Sequence, residues 1–83
     1  MHIEVITPAK KLFDGDADAV KLPGSQSPFE VLKNHAPLIS SLEKGTVSII
    51  ADGQTTAIPI NGGFVQVVGN HIVVLASGEE ITT

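Results

Sequence analysis

Apolar and polar residues alternate in short arms such as Val47-Ser48-Ile49 and Val65-Gln66-Val67, with turn residues interrupting them every eight to twelve positions. No stretch keeps helical apolar spacing for three turns, so the pattern is that of an all-β protein. Strands are predicted over residues 3–7, 11–13, 17–22, 29–32, 38–42, 46–51, 54–60, 63–68 and 71–76. The prolines at 8, 23, 28, 37 and 59 fall at strand ends or turns, where a missing amide donor does least harm. Tight hairpin turns are predicted at Asp52-Gly53 and Gly69-Asn70, both rich in residues that accept positive φ. The runs Ile49-Ile50 and Val73-Val74-Leu75 are apolar on both faces, one side for the core and the other for a further contact. About nine to ten short strands need two packed sheets, because a single open sheet leaves an apolar face wet. The expected architecture is therefore a flattened two-sheet β-sandwich, with Asn61-Gly62-Gly63 forming a bulge or corner where a strand changes sheets.

Composition narrows the partners. The 83 residues make one domain, expected to span 1–83, and the absence of cysteine excludes a disulfide framework or a thiolate zinc site as reinforcement for a small core. Charged residues are 17% of the chain, below the average of about 25% for soluble domains, and apolar residues are 42%. Apolar surface should therefore remain for a partner, unless Ser, Thr, Gln, Asn and Gly cover it. Net charge is −4, with five lysines and no arginine. A nucleic-acid partner is not expected, since neither a clustered basic surface nor a bidentate arginine is present. The longest apolar stretch, residues 72–76, is five residues long, too short for a signal sequence or a membrane span. The expected setting is cytoplasmic, without direct membrane insertion.

Candidate chemistry is sparse. His2, His35 and His71 are more than thirty residues apart and have no short-range ligand pair, so no metal site is expected. His2 and His71 read as exposed strand-end residues. His35 sits in an exposed loop whose Ala36 is held extended by Pro37; it serves either as a backbone-bonding loop histidine or as a contact residue. There is no Gly-x-Ser-x-Gly elbow, and the spacing of Asp14, Asp16 and Asp18 departs from a calcium loop. Asn61-Gly62-Gly63 lacks the following helix or lysine of a phosphate cradle. Sugar stacking has no tryptophan or tyrosine to use, and Phe64, just after the glycine corner, reads as a core residue. Catalytic, nucleotide and cofactor sites are all expected to be absent.

One colinear series carries more than any single motif. It runs Thr7-Pro8, Lys11-Leu12-Phe13-Asp14-Gly15, Leu22-Pro23-Gly24, Val31-Leu32, His35-Ala36-Pro37-Leu38, Lys44-Gly45, Asn61-Gly62-Gly63-Phe64 and Val73-Val74-Leu75-Ala76. In this order the series resembles the epsilon subunit of the F-type ATP synthase, over residues 3–76. The resemblance implies a non-catalytic part of the central stalk, packed on the gamma subunit, seated on the polar loops of the membrane ring (the c subunits), and carried on the cytoplasmic face of the bacterial inner membrane. It places Thr7, Leu12, Phe13, Val31, Leu32, His35, Pro37, Leu38 and Ser40 on the gamma-facing surface, although Val31 and Leu38 suit the core equally well. The ring-facing tip corresponds to Gln26, Ser27, Pro28, Phe29 and Glu30.

At that tip the chain departs from the family. Many members have a glycine and a carboxylate at Ser27 and Pro28, another glycine at Glu30, and Pro-Gly at Lys33-Asn34, which leaves Glu30 to supply the acidic group. Family members commonly continue past Ser77 into two long helices, whereas here residues 78–83 are all that follow. The expectation is a subunit without the helical hairpin, one that couples without inhibiting and binds no nucleotide. The competing reading is a free-standing β-sandwich that binds another protein.

Overall fold

The computed structural model describes residues 1–77 and contains seven strands: β1 (His2–Ile6), β2 (Lys11–Asp16), β3 (Ala19–Leu22), β4 (Phe29–Leu32), β5 (Leu38–Ala51), β6 (Gln54–Val68) and β7 (His71–Ala76). The predicted arms lie in the right places, but seven strands replace the expected nine to ten. Arms 38–42 and 46–51 are one strand, β5, and arms 54–60 and 63–68 are one strand, β6. The expected two sheets are likewise one hydrogen-bonded ladder, in the order β2-β1-β7-β6-β5-β3-β4. All neighbours are antiparallel except β1 and β7, which run parallel.

The reason for the fusion is visible where β5 and β6 bend. Their register runs unbroken from Leu38↔Val67 to Leu42↔Gly63, skips Glu43 and Gly62, and resumes at Lys44↔Asn61. At the gap each strand turns its bond outward: the Glu43 amide donates to Pro23 O at 2.9 Å, and Ser77 N donates to Gly62 O at 2.9 Å. The Glu43 amide and the Gly62 carbonyl thus keep partners through the bend. Gly62 and Gly63 carry φ values of 113° and 144°, and a Cβ on Gly63 would lie 2.2 Å from the Leu75 carbonyl oxygen. Only glycine fits this corner. At the far end, Asp52 (φ 52°) and Gly53 (φ 76°) close the β5–β6 hairpin, with positive φ at both central positions as a type I′ turn requires.

Beyond the bend the ladder curls so that its two ends share one core. Ile3 and Val5 of β1 belong to the same buried cluster as Val20 of β3 and Val31 of β4, together with Val47, Ile49, Val65, Val67, Ile72 and Val74. The link between β2 and β3 stitches the ends: Ala17 N donates to Met1 O at 2.8 Å, and Asp18 N to Ile50 O at 2.7 Å. Among the described residues no polar or charged side chain is buried. Cohesion thus comes from apolar burial, worth about 1.5–3 kcal/mol for each fully buried Val or Ile, and from the ladder itself.

Candidate protein interface

Strand parity decides which side chains leave the core. With Ile3, Val5, Val65, Val67, Ile72 and Val74 inside, the alternate residues of β1, β7, β6 and β5 face outward. The register sets them in rungs. Ile6, Leu75, Phe64 and Ser41 stand side by side across β1, β7, β6 and β5, and Glu4, Val73, Gln66 and Ile39 form the next rung. Phe64 is 59% exposed and Ile39 75%, with Leu75 and Val68 also more than half exposed. The result is a contiguous apolar face on the outside of the sheet, of the kind that partners cover. Phe64 is therefore not the core residue that its glycine neighbours suggested: the corner reverses the parity of β6, with Ile60 inside before it and Val65 and Val67 inside after it, which turns Phe64 outward.

Beside this face a groove of about 360 Å³ runs between Pro37, Leu38, Ile39, Gln66, Val67 and Val68. A second cleft, of about 440 Å³, lies between β5 and the loop joining β3 to β4, lined by Gly24, Gln26, Ser27, Phe29, Ile39, Ser40 and Ser41. Ile39 borders both. The loop is held against β5 by Ser25 N donating to Ser41 O at 3.1 Å and by the Ser41 hydroxyl donating to Ser25 Oγ at 3.0 Å. Gly24 is obligatory here for space, because a Cβ would meet Ser27 O at 2.5 Å.

The sequence-derived surface residues fall into separate places. Thr7 closes the β1–β2 turn, its hydroxyl donating to Lys10 O at 3.0 Å and its Oγ1 accepting the Lys10 amide at 3.1 Å. Leu12, Phe13 and Leu38 are half-buried and pack on the core cluster. Val31 is wholly buried and offers no surface, whereas Leu32 beside it is more than half exposed. His35 is half-buried, with Nδ1 2.7 Å from Ala36 O, while Pro37 is exposed and Ser40 half-buried. Asn34 N donates to Asn70 Oδ1 at 3.0 Å, which seats the His35 loop beside the β6–β7 turn, at the opposite end of β1 from Thr7. Gln26, Ser27, Pro28 and Glu30 are exposed and Phe29 half-buried. The structure thus joins part of both predicted surfaces, Pro37, Leu38 and Ser40 with Gln26, Ser27 and Phe29, around Ile39.

At the other end of the outer face the chemistry changes. Asp16, His2 and His71 form one rung across β2, β1 and β7, with Asp14 and Glu4 on the next. His2 Nε2 lies 2.6 Å from Asp14 Oδ1 and 3.8 Å from Glu4 Oε2, and His71 Nε2 lies 3.7 Å from the same Glu4 oxygen. The Lys11 ammonium donates to Asp14 Oδ2 at 3.0 Å. That bond, with smaller help from His2, holds the Asp14 carboxyl below its ordinary range, while the same bond and the Asp14 charge raise Lys11. Spacing along the chain gave no sign of this cluster, because it depends on the β1–β2 and β1–β7 registers.

The family described as ATP synthase, Delta/Epsilon chain, beta-sandwich domain, matches residues 1–81. An ATP synthase epsilon chain of Maricaulis maris is 38% identical over 76 residues, 92% of this chain and 57% of that protein. One from Caulobacter vibrioides is 39% identical over 77 residues, covering 92% of this chain and 88% of its own length. The chain spans somewhat under three fifths of the Maricaulis relative. Among solved structures, a chain in the central stalk and c-ring of the Tetrahymena thermophila mitochondrial ATP synthase superposes with a TM-score of 0.76, at 17% identity, over 94% of this chain and 63% of that one. That likeness is one of fold.

Proposed function

The chain belongs to the ATP synthase epsilon-chain family, and from that premise we propose that it is a non-catalytic rotor subunit of an F-type ATP synthase that couples the membrane ring to the gamma shaft. The observation that carries this reading is the contiguous exposed apolar face of β7, β6 and β5. A small β-domain that leaves Phe64, Leu75 and Ile39 in water is built for a lasting protein contact, in which a few apolar and aromatic anchors supply most of the binding energy.

The ladder forms two layers of a sandwich. Its outer face, with the half-exposed edges of Leu12, Phe13, Leu38 and His35 and the exposed Leu32 and Pro37, meets gamma; Thr7 and Ser40 supply polar fixing points. Gln26, Ser27, Pro28, Phe29 and Glu30 meet the c-ring, with Glu30 as the acidic member. The Caulobacter relative, an ATP synthase epsilon chain matched over 88% of its length, supports the epsilon-chain reading of this domain. Residues 78–83, which the sequence reading set against the family's helices, lie outside the described residues. Among the described residues no helix is long and apolar enough to cross a membrane, and the subunit is held peripherally at the cytoplasmic face of the bacterial inner membrane through its partners.

Coupling also separates this reading from restraint of hydrolysis. Adding the chain to the isolated catalytic head leaves ATP hydrolysis close to its unrestrained rate, and strong suppression would overturn the assignment. The direct test is co-expression with the gamma subunit of the same organism, followed by native mass spectrometry. A one-to-one complex weakened by Phe64→Asp supports the stalk role. A chain that stays alone beside folded gamma refutes it.

A further inference from the structure

We propose that His2, Glu4 and Asp14, with His71 as a fourth donor, form a binding site for a divalent transition metal of the zinc class on the outer face of β1, β2 and β7. This site is independent of the coupling role and lies on the polar end of the face, where Val68 is the cross-strand neighbour of His71.

The argument begins with register. His2 pairs with Asp16 on one side and His71 on the other, and Glu4 pairs with Asp14. Alternate residues of a strand share a face, so two imidazoles and three carboxylates converge over two rungs of three neighbouring strands. One ligand atom from each of His2, Glu4 and Asp14 lies within 4.8 Å of the others. Zinc bonds to nitrogen and carboxylate oxygen are about 2.0–2.2 Å, so tetrahedral donors stand about 3.3 Å apart. The observed separations, 2.6 Å for His2 Nε2 to Asp14 Oδ1, 3.8 Å for His2 Nε2 to Glu4 Oε2 and 3.7 Å for His71 Nε2 to Glu4 Oε2, bracket that value. Small side-chain rotations are enough to admit the ion, which takes the place of the proton between His2 and Asp14.

Donor type and charge agree with this. Imidazole nitrogen combined with carboxylate oxygen, without a thiol, suits zinc and its neighbours and suits calcium or magnesium poorly. Glu4, Asp14 and Asp16 bring three negative charges, of which Asp14 is paired with Lys11. Lys11 binds Asp14 Oδ2 and leaves Oδ1 turned toward His2. The scaffold is firm: β1 is paired on both sides, the His2 amide donates to Asn70 O at 2.8 Å, and Met1 O accepts from Ala17 N at 2.8 Å. Ligands on paired strands hold their geometry better than ligands on loops. The His2 and His71 rings, edge to face with centroids 5.3 Å apart, put a second nitrogen donor within a rotamer change of the ion.

The test uses the untagged full chain, zinc chloride and a competing chelating dye, with imidazole nitrogen shifts followed by NMR. One equivalent of zinc binds, and the His2 and His71 signals move while that of His35 stays. His2→Ala and Asp14→Asn each weaken binding on the order of tenfold or more, and His35→Ala leaves it unchanged. Both altered residues are at least partly exposed, so melting temperatures should match the parent; if His2→Ala fails to fold, the isosteric Asp14→Asn decides alone. No zinc binding, binding unaffected by Asp14→Asn, or shifts confined to His35 would overturn the site.

Discussion

Along β1 and β7 the two ends of the outer sheet face differ in chemistry while sharing one scaffold. At one end the rung Ile6, Leu75 and Phe64 is apolar; at the other the rung Asp16, His2 and His71 is polar and titratable. The strands β1 and β7 run through both, and their backbone ladder is the same at each end. Between these two strands the difference therefore lies in side chains, although β2 joins β1 through a register shift between Val5 and Ile6 at the apolar end, and it teaches that the paired strands specify position while the outward residues specify what is held there. Among the described residues, Phe64, Leu75 and Ile39 at the apolar end stay more than half exposed. The polar end satisfies its groups among themselves.

The comparison breaks most severely if the scaffold is disturbed. Gly63→Ala places a Cβ against the Leu75 carbonyl at a corner with φ of 144°, and a loss of about 3 kcal/mol is expected in urea unfolding, with Phe64 and Leu75 displaced together. A change confined to the apolar end should separate binding from folding. Phe64→Asp alters stability by no more than about 0.5 kcal/mol, as for other surface changes, yet weakens the gamma complex by about 2 kcal/mol or more if Phe64 is an anchor. Calorimetry of folding and of binding on the same variant reads both.

His35→Ala tests the loop beside the face rather than the face itself. Its ring already bonds the neighbouring Ala36 carbonyl, so a cost below about 1 kcal/mol in gamma binding is expected; a larger loss would move the centre of the interface to that loop. The smallest effect is at the polar end. Lys11→Met removes the bond that holds Asp14 low, and an NMR titration should find the Asp14 carboxyl returned toward its ordinary range. Because the depressed value belongs to the folded state, the parent's added stability is present above the ordinary carboxylate range and fades as pH falls through the depressed value. The variant should lack that dependence.

Much of the fold was legible because parity is local. The arms 54–60, 63–68 and 71–76 and both hairpin turns lie where the alternation and turn residues put them. The fusion of arms was not legible, since Gly62 and Gly63 signal a bend but do not say where hydrogen bonds go, and here Pro23 and Ser77 take them up. For the site, the doubly apolar run Val73-Val74-Leu75 did announce a second apolar face, with Val74 inside and Leu75 outside. Phe64 was misread from its glycine neighbours when the alternation of Val65 and Val67 already fixed it outward. The histidine and carboxylate cluster had no local signal, because it exists only through pairing of residues 2–4 with 14–16 and with 71.

The parallel pairing of β1 with β7 also bears on how the molecule comes into being. During synthesis β1 must wait for β7 before its second edge is covered, so the core cannot close until both strands have emerged. Such distant pairing makes folding slow, in the millisecond to second range typical of β-domains with long-range contacts. During that interval the β1 edge is open to other strands, and early encounter with a partner subunit would shorten the exposure.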